Sequence, residues 1–369
     1  MESFLDYFEE LEDPRIDRRK LYPMDEILLL SLCAVICGAE GWLDVESFGH
    51  GKLSFLRKYL PFANGIPSDD TIRRFYRSID ADCFQRCFLR WAKDIRDLPE
   101  ARQIAIDGKT NRGSRDGDKQ ALHVISAFCS EARIVLGQTG VKEKSNEISA
   151  IPKLLEWLDL RGALVSIDAM GCQRNIADRI LSRGGNYLLA LKGNQGSLHE
   201  DVKDFFVHED SSKVASIHTA ETLDKGHGRI ESRCCKVTQD IDWLQRDHAW
   251  PGLKSIATIR NTREIDGRVS CEVRYYISSV EADPDKILQS VRSHWSIENR
   301  LHWVLDMSFG EDRSRIRKGN APENMAVLRH FSLNLMQQAK TKRQSIKRLR
   351  KMAGWNDKIL DNILSQDKF

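Results

Sequence analysis

RQIAIDGK, at residues 102–109, and ALVSID, at residues 163–168, are the two stretches that decide the fold. Each is a short apolar run, and the runs reach Asp107 in the first stretch and Asp168 in the second. Apolar runs of this length, bounded by polar residues, favour buried β-strands. Because ligand sites in α/β sheets gather at the carboxyl ends of strands, we expect the two aspartates to lie close together on neighbouring strands.

The segments around these stretches predict a mixed α/β sheet. LHVISAFC (residues 122–129), RIVLGQTGV (133–141) and NYLLALK (186–192) have the pattern of further strands, and residues 147–158 and 173–182 have the pattern of helices. Residues 195–285 lack a helical period and contain RIESRCCKVT, LKSIATIRNTR and VSCEVRYYISS, so they are interpreted as a β-rich insertion. Helix resumes at about residue 285 and continues through SHWSIENRLHWVLDMSF and beyond Pro322.

The first 97 residues predict an all-helical domain that binds DNA. Ser68 is a good N-cap for a short helix in which Ile72, Phe75, Tyr76 and Ile79 form one apolar stripe. The stripe excludes three basic residues: Arg73, Arg74 and Arg77. Such a helix resembles the recognition helix of a helix-turn-helix, and a bundle helix with surface arginines is the equal alternative. The catalytic domain is predicted at 98–340, and a basic helical tail at 341–369.

Bulk composition indicates a globular protein of two or three domains. The 369 residues are 41% hydrophobic and 30% charged, with a formal net charge of +3. Basic residues are clustered, as in KTKRQSIKRLRK at 340–351, which suits one polyanion-facing surface or, alternatively, several solvated helix faces. The acidic start and the short apolar run at 27–39 predict a cytoplasmic, nucleoid-associated protein without a membrane partner. Nine cysteines without zinc-finger spacing predict reduced, buried thiols.

The two aspartates also predict a chemistry. Neighbouring carboxylates repel each other, and a divalent cation such as Mg²⁺ or Mn²⁺ removes that conflict. A third carboxylate would complete a site for two ions about 3.5–4 Å apart, the arrangement used for phosphodiester displacement. A small residue after each aspartate, Gly108 or Ala169, suggests room for a backbone or phosphate to approach. The alternative is that both aspartates simply cap the helices that follow their strands.

The third carboxylate comes from the helical stretch HWSIENRLHWVLD, at residues 294–306. Glu298 lies beside a predicted buried stripe and is flanked one turn away by His294 and His302. Asp306 and Glu311 are close enough in sequence to compete for the role. The two histidines are predicted to surround the site rather than to bind metal, because nitrogen ligands shift the preference towards zinc.

Seven ordered motifs carry a family resemblance. They are AIDGKTNRGS, KSNEISAIPKLL, VSIDAMGCQ, LLALKGNQ, HGRIESR, RSHWSIENRLHWVLD and FGEDRSRIRKGNAPENMAVLRH. Together with the helical N-terminal segment, they resemble the H-repeat-associated family of bacterial insertion-sequence DDE transposases over about residues 5–340. The resemblance implies an RNase H-like core and a triad of Asp107, Asp168 and Glu298 that holds two Mg²⁺ or Mn²⁺ ions. It also implies double-stranded DNA as the substrate, at transposon ends and target, and a homodimer on that DNA.

One departure from the wider superfamily concerns the residues that grip phosphate. Val291, His294 and Leu305 stand where a tyrosine, an arginine and a lysine are common around the glutamate. The phosphate contacts are therefore expected from other basic residues, each of which is alternatively a plain surface residue: Lys109, Lys192, Arg292, Arg315 and Arg317. Asn299 is expected to join the two histidines around the triad.

The implied reaction is hydrolysis of a phosphodiester at each transposon end, followed by attack of the freed 3′ hydroxyl on target DNA. Trp243 or Trp250 could stack on a flipped base, and core packing is the alternative for both. Two competing functions stay open. One is a stand-alone metal-dependent nuclease, and the other is an immobile, transposase-derived DNA-binding protein.

Overall fold

The computed structural model of the chain describes residues 4–94, 102–117, 119–141, 147–208, 216–226 and 228–365. The N-terminal helices are α1 (Met24–Cys37), α2 (Trp42–Leu56), α3 (Asp69–Ser78) and α4 (Ala81–Lys93). The central elements are β1 (Gln103–Thr110), β2 (His123–Cys129), β3 (Ile134–Val141), α5 (Glu147–Trp157), β4 (Leu164–Ile167), α6 (Arg174–Ser182) and β5 (Asn186–Leu191).

The second half of the chain begins with a helix and a group of long strands. These are α7 (Gly196–Val207), β6 (His218–Gly226), β7 (Arg229–Thr238), α8 (Asp242–His248), β8 (Ser255–Ile265) and β9 (Arg268–Ser278). The C-terminal elements are α9 (Pro284–His294), a π-helical turn (Glu298–His302), α10 (Trp303–Phe309), α11 (Ala321–Ala339), α12 (Ile346–Trp355) and α13 (Asp357–Leu364). The mixed α/β class is therefore as predicted.

The described strands form one nine-stranded sheet in the order β3-β2-β1-β4-β5-β9-β8-β7-β6. β1 pairs antiparallel with β2 and parallel with β4, and β4 pairs parallel with β5. The four strands of the predicted insertion form an antiparallel extension, joined through β9 to the edge of β5. The insertion therefore continues the core sheet, which places its residues beside the carboxyl ends of β4 and β5.

The prediction of a lapse in helical structure after residue 195 is wrong for its first part, because α7 spans Gly196–Val207. Its buried side chains are Leu198, Val202 and Phe206, spaced four residues apart. This is the spacing of one helical face, so the signal was present in the sequence. The strands assigned to the insertion from residue 229 onwards are present.

The helical part of the molecule contains both ends of the chain. α1 is almost wholly buried and contacts α2, α11, α12 and α13. Arg350, in the basic segment at 340–351, is buried, and its guanidinium donates to the Val35 carbonyl oxygen at 2.7 Å. A cation at the carboxyl end of a helix complements the helix dipole, so this arginine has a structural role. The domain boundaries near residues 97 and 340 stay predictions.

Helix α3 has the predicted pattern. The Ser68 side chain accepts from the backbone N–H of Thr71 at 3.4 Å and caps the helix. Ile72, Phe75 and Tyr76 are buried, whereas the three arginines of α3 are exposed. The amphipathic half of the prediction is confirmed, and its role in DNA binding stays a prediction.

The cysteines are reduced, as predicted, but only five of the nine are buried, and Cys271 is exposed. Each of the nine cysteines lies within the described residues and is free of a disulfide. Trp250 is buried, and Trp243 stacks on Phe205 with ring centroids 5.7 Å apart. Neither tryptophan is presented for base stacking.

Among the described helices, none taken singly has both the length and the apolar composition required to cross a membrane. α1 and α2 meet the requirement only as a pair, and they are bent 97° from each other.

Candidate active site

The two aspartates lie level on neighbouring parallel strands. The pairing of β1 with β4 ends at Ile106 and Ile167, so Asp107 and Asp168 are the next residues on each side. The sequence predicted a strand that ends at Asp107, but Asp107 is not the last residue of β1. β1 continues to Thr110 because β2 pairs with it along its whole length, with Asp107 opposite Ser126.

Asp168 directly follows β4 and caps the short 3-10 helix Ala169–Gly171. Its Oδ1 accepts from the backbone N–H of Met170 at 3.0 Å and of Gly171 at 3.4 Å. The capping interpretation is therefore confirmed for Asp168, through one of its two carboxylate oxygens. A carboxylate has two oxygens, so capping through Oδ1 is compatible with a ligand on Oδ2.

Glu298 opens a π-helical turn, Glu298–His302, between α9 and α10. Ile297, Leu301 and Leu305 are buried, as predicted, and they fix this segment against the core. A π-helical turn inserts an extra residue into a helix and is frequent at functional sites. The exposed Glu298 is displaced by this turn from regular α-helical spacing, an effect that apolar periodicity cannot reveal.

Asp107, Asp168 and Glu298 line a single cavity of about 460 Å³. Its other walls come from β5, α7, β9 and α9, so the sheet extension closes the site on one side. Several of the lining residues were not anticipated from the sequence, among them Lys203, Arg274 and Tyr275. Both Arg274 and Tyr275 line the cavity although neighbouring side chains on a strand take opposite faces, so alternation along β9 could not have identified the pair.

The pKa of Asp107 reflects the convergence of the three carboxylates on one cavity. Burial raises the pKa of Asp107, and the nearby charges of Asp168 and Glu298 raise it further, to about 7 against an ordinary 3.8. The backbone N–H of Gly108 acts in the opposite direction and does not offset these effects. A carboxyl group in this state gains from a neighbouring cation, which would restore its ionised form.

Two histidines adjoin the carboxylates, as expected. His302 Nδ1 lies 3.6 Å from Asp107 Oδ2, and His294 Nδ1 lies 3.0 Å from Ser166 Oγ. Burial lowers the pKa of each imidazole to about 4, so both rings are neutral near pH 7. The structure does not bring Asn299 into the cavity. That exposed side chain donates to the Trp295 carbonyl oxygen and borders a separate groove.

Lys109 does not fit the expectation of a DNA contact. Its ammonium lies 2.8 Å from Asp306 Oδ1, 3.2 Å from Glu311 Oε2 and 3.1 Å from Asp312 Oδ1, and its side chain is only 10% exposed. Burial alone would lower the pKa of Lys109, but the three carboxylates outweigh it and raise the pKa above its usual value. The lysine thus ties β1 to the segment that follows Glu298. The same contacts place Asp306 and Glu311 in this cluster.

The structure also gives a different reason from the expected one for a glycine at position 108. A Cβ at this position would lie 2.3 Å from His123 Nε2 and 2.8 Å from Glu147 Oε1. These two buried side chains are in polar contact, with His123 Nε2 2.6 Å from Glu147 Oε1. The glycine therefore makes room for a protein contact on the side of β1 opposite Asp107, and not for a phosphate.

The remaining basic candidates are distributed over the surface. Lys192 is exposed and lines the carboxylate cavity. Arg292 borders the separate groove and lies 3.0 Å from Asp224. Arg315 and Arg317 are exposed on the segment before α11, and Arg317 donates to the Gly113 carbonyl oxygen at 2.9 Å.

The α3 arginines lie on the helical body. Arg73 and Arg74 each pair with Asp70, and the backbone carbonyl of Arg77 accepts from Asn320 N–H at 3.2 Å. The structure therefore brings Lys192 to the carboxylates and leaves the three arginines of α3 on a different element.

The donor set fits hard divalent cations, since three carboxylates line the cavity and its described lining includes no cysteine. His294 also lines the cavity, but its Nδ1 lies 3.0 Å from Ser166 Oγ. Within the described ranges, no three His, Cys, Asp or Glu side chains are gathered closely enough to hold one ion. Closer approach of the three carboxylates would be opposed by their mutual repulsion, which a bound cation would relieve.

Two family profiles match the chain. The profile described as Transposase DDE domain covers residues 79–335, and the one described as DDE_Tnp_1-associated covers residues 5–92. "Putative transposase YncI" of Escherichia coli O157:H7 is 40% identical, over 99% of this chain and 95% of the relative. "H repeat-associated putative transposase YhhI" and "Putative protein YbfL", both of Escherichia coli K12, are 38% and 37% identical, each over 99% of this chain and 98% of the relative.

Proposed function

The chain belongs to the H-repeat-associated DDE transposases, and from that premise we propose that it cuts DNA at transposon ends and joins the freed 3′ ends to target DNA. Asp107, Asp168 and Glu298 are the proposed catalytic triad. The observation that carries this proposal is their convergence on one cavity from a strand, a strand end and a helical turn far apart in sequence.

The fold supports the same proposal. The strand order β3-β2-β1-β4-β5, with β1 antiparallel to β2 and parallel to β4, is the arrangement expected of an RNase H-like core. In that core, Asp107 and Asp168 occupy adjacent central strands, and the helical segment with Glu298 follows the sheet extension. We therefore assign the first five strands to the catalytic core and β6–β9 to the insertion.

The three carboxylates would hold two divalent ions, Mg²⁺ or Mn²⁺. Asp107 and Glu298 would be ionised ligands, and Asp168 would contribute the oxygen that does not cap the 3-10 helix. When bound, such ions activate the attacking oxygen and stabilise the leaving one. His302 lies against one side of Asp107 and is neutral, so it adds no positive charge that would compete with a metal ion for this carboxylate.

The rest of the cavity suits a phosphodiester substrate. Lys192, Lys203 and Arg274 line the same cavity as the carboxylates. Lys203 and Arg274 are held there by Glu200 and Glu272, each at 2.9 Å. The three basic side chains would position a phosphate and offset the charge that develops on its oxygens in the transition state. The proposed steps are in-line displacements, first by water at the transposon end and then by the 3′ hydroxyl at the target. We also propose a homodimer on DNA, since two ends must be joined.

The test is a cleavage and joining assay on duplex DNA that carries the ends flanking the gene, with Mg²⁺ or Mn²⁺. Wild type should nick and join, and Asp168→Ala should lose both activities by at least about 10³-fold. The matched control is Asp178→Asn, an exposed carboxylate on α6, which should retain full activity. Equal cleavage by wild type and Asp168→Ala would refute the triad. Cleavage without joining would identify a nuclease instead.

A further inference from the structure

A second groove borders the carboxylate cavity, between α9 and the strands β7, β8 and β9. The two share a wall made of Glu272, Arg274, Tyr276, Val291 and Trp295. The shared wall makes the groove adjacent to the carboxylate cavity. Among its lining residues, the sequence had singled out only Arg292 and Asn299 as site residues.

Arginines dominate the described lining of this groove: Arg229, Arg233, Arg263, Arg274 and Arg292. Arg229 and Arg233 come from β7, Arg263 from β8, Arg274 from β9 and Arg292 from α9. Side chains two residues apart on a strand lie on the same face of the sheet. Glu231 of β7 is paired with Arg263 of β8 in the sheet register. The pairing therefore brings side chains from strands that are distant in sequence onto one surface.

Glu231 organises three of these arginines. It is buried, and its carboxylate lies 3.3 Å from Arg229 Nε, 2.9 Å from Arg263 Nε and within contact of Arg233. Burial would raise the pKa of Glu231, but the three guanidinium groups hold it below its usual value. One buried carboxylate thus fixes three guanidinium groups in a fan.

The groove as a whole keeps an excess of positive charge that solvent can reach. Asp224 pairs with Arg233 and Arg292, and Glu272 pairs with Arg274, so three carboxylates face five arginines. The side chains of Arg229, Arg263 and Arg292 are 47%, 44% and 46% exposed. Planar guanidinium groups with free N–H donors are suited to phosphate oxygens.

Trp295 lies at the junction of the two sites. It is partly exposed, and the guanidinium carbon of Arg274 lies 4.6 Å from its ring centroid. A stacked arginine loses little entropy when it binds a phosphate, because its side chain is already held in place. The junction is therefore an ordered basic edge between the cavity and the groove.

We propose that this arginine groove binds the sugar–phosphate backbone of the DNA strand whose phosphodiester lies at the carboxylates, a few nucleotides from the reacting bond. Glu231 is the positioning residue of the groove. The contacts are to phosphates and carry no base sequence. The inference rests on the proposed function, since it takes DNA as the ligand.

The experiment measures binding of a fluorescent duplex of arbitrary sequence, in EDTA, over a range of salt concentrations. The test variant is Arg229→Gln/Arg263→Gln/Arg292→Gln. Each lost phosphate contact should reduce the slope of log Kd against log salt by about 0.9, so the triple variant should lose about 2–3 and bind at least about tenfold more weakly. The corresponding triple lysine variant keeps the charges and should retain the slope.

The matched control, Arg161→Gln/Arg179→Gln/Arg246→Gln, removes the same charge from exposed positions outside the groove and should change the slope by less than about one. If the triple groove variant fails to fold, Arg263→Gln alone should still reduce the slope by about one.

A parallel cleavage assay of wild type on its own ends separates the two proposals. An active wild type together with wild-type binding by the groove variant would overturn the inference and leave the function intact. An inactive wild type together with weakened binding by the groove variant would support the groove and count against the function.

Discussion

Asp107→Asn should stabilise the folded protein while abolishing its activity. The native structure buries the Asp107 carboxyl beside Asp168 and Glu298 and raises its pKa from 3.8 to about 7. The native state therefore binds this proton more tightly than the unfolded chain does. Above pH 7 the ionised native state is destabilised by on the order of 4 kcal/mol, and isosteric asparagine removes that cost.

The sign of the pH dependence follows from the same difference. Below pH 4 the carboxyl is protonated in both states and costs nothing. The cost grows as pH rises from about 4 to 7, and it is complete above 7. Between pH 5 and pH 8 the stability advantage of Asp107→Asn over wild type should increase by about 2–3 kcal/mol.

Urea unfolding in EDTA at pH 5 and pH 8 measures this advantage. Asp306→Asn is the matched control, because its carboxylate is held by Lys109 at 2.8 Å, so its loss should destabilise the protein at both pH values. Added Mg²⁺ should stabilise wild type more than Asp107→Asn, since the cation needs the carboxylates. An advantage that does not change with pH, or a wild type that is the more stable protein at pH 8, would refute the electrostatic reasoning.

Two further substitutions test the support around the triad. Lys109→Met should cost about 3 kcal/mol of folding free energy, measured by urea unfolding, because it leaves Asp306, Glu311 and Asp312 without their shared cation; a loss below about 1 kcal/mol would show that the cluster is unimportant. Gly108→Ala should cost about 1–3 kcal/mol through its clash with His123, and it should cost less when introduced into His123→Ala than into wild type; a fully stable single variant would contradict the packing around Gly108.

Several features of this protein were determined by short-range sequence pattern. The strand pattern before Asp107 and Asp168, the cap at Ser68 and the apolar stripes of α3 and of the Glu298 segment are as predicted, whereas the end of β1 is not. These features depend on alternation, helical period and capping chemistry, which act over a few residues. Such interactions can be inferred from the residues themselves, whatever the rest of the chain does.

The partners of charged residues were decided by the tertiary structure. Asp107 and Lys109 lie two residues apart on the same side of β1, yet the first faces the cavity and the second is neutralised by Asp306 and its neighbours. The arginine groove likewise assembles side chains from three strands and one helix. Sequence can place a charge on a strand face. Only the packing of distant segments determines whether a buried countercharge neutralises it or leaves it available to a ligand.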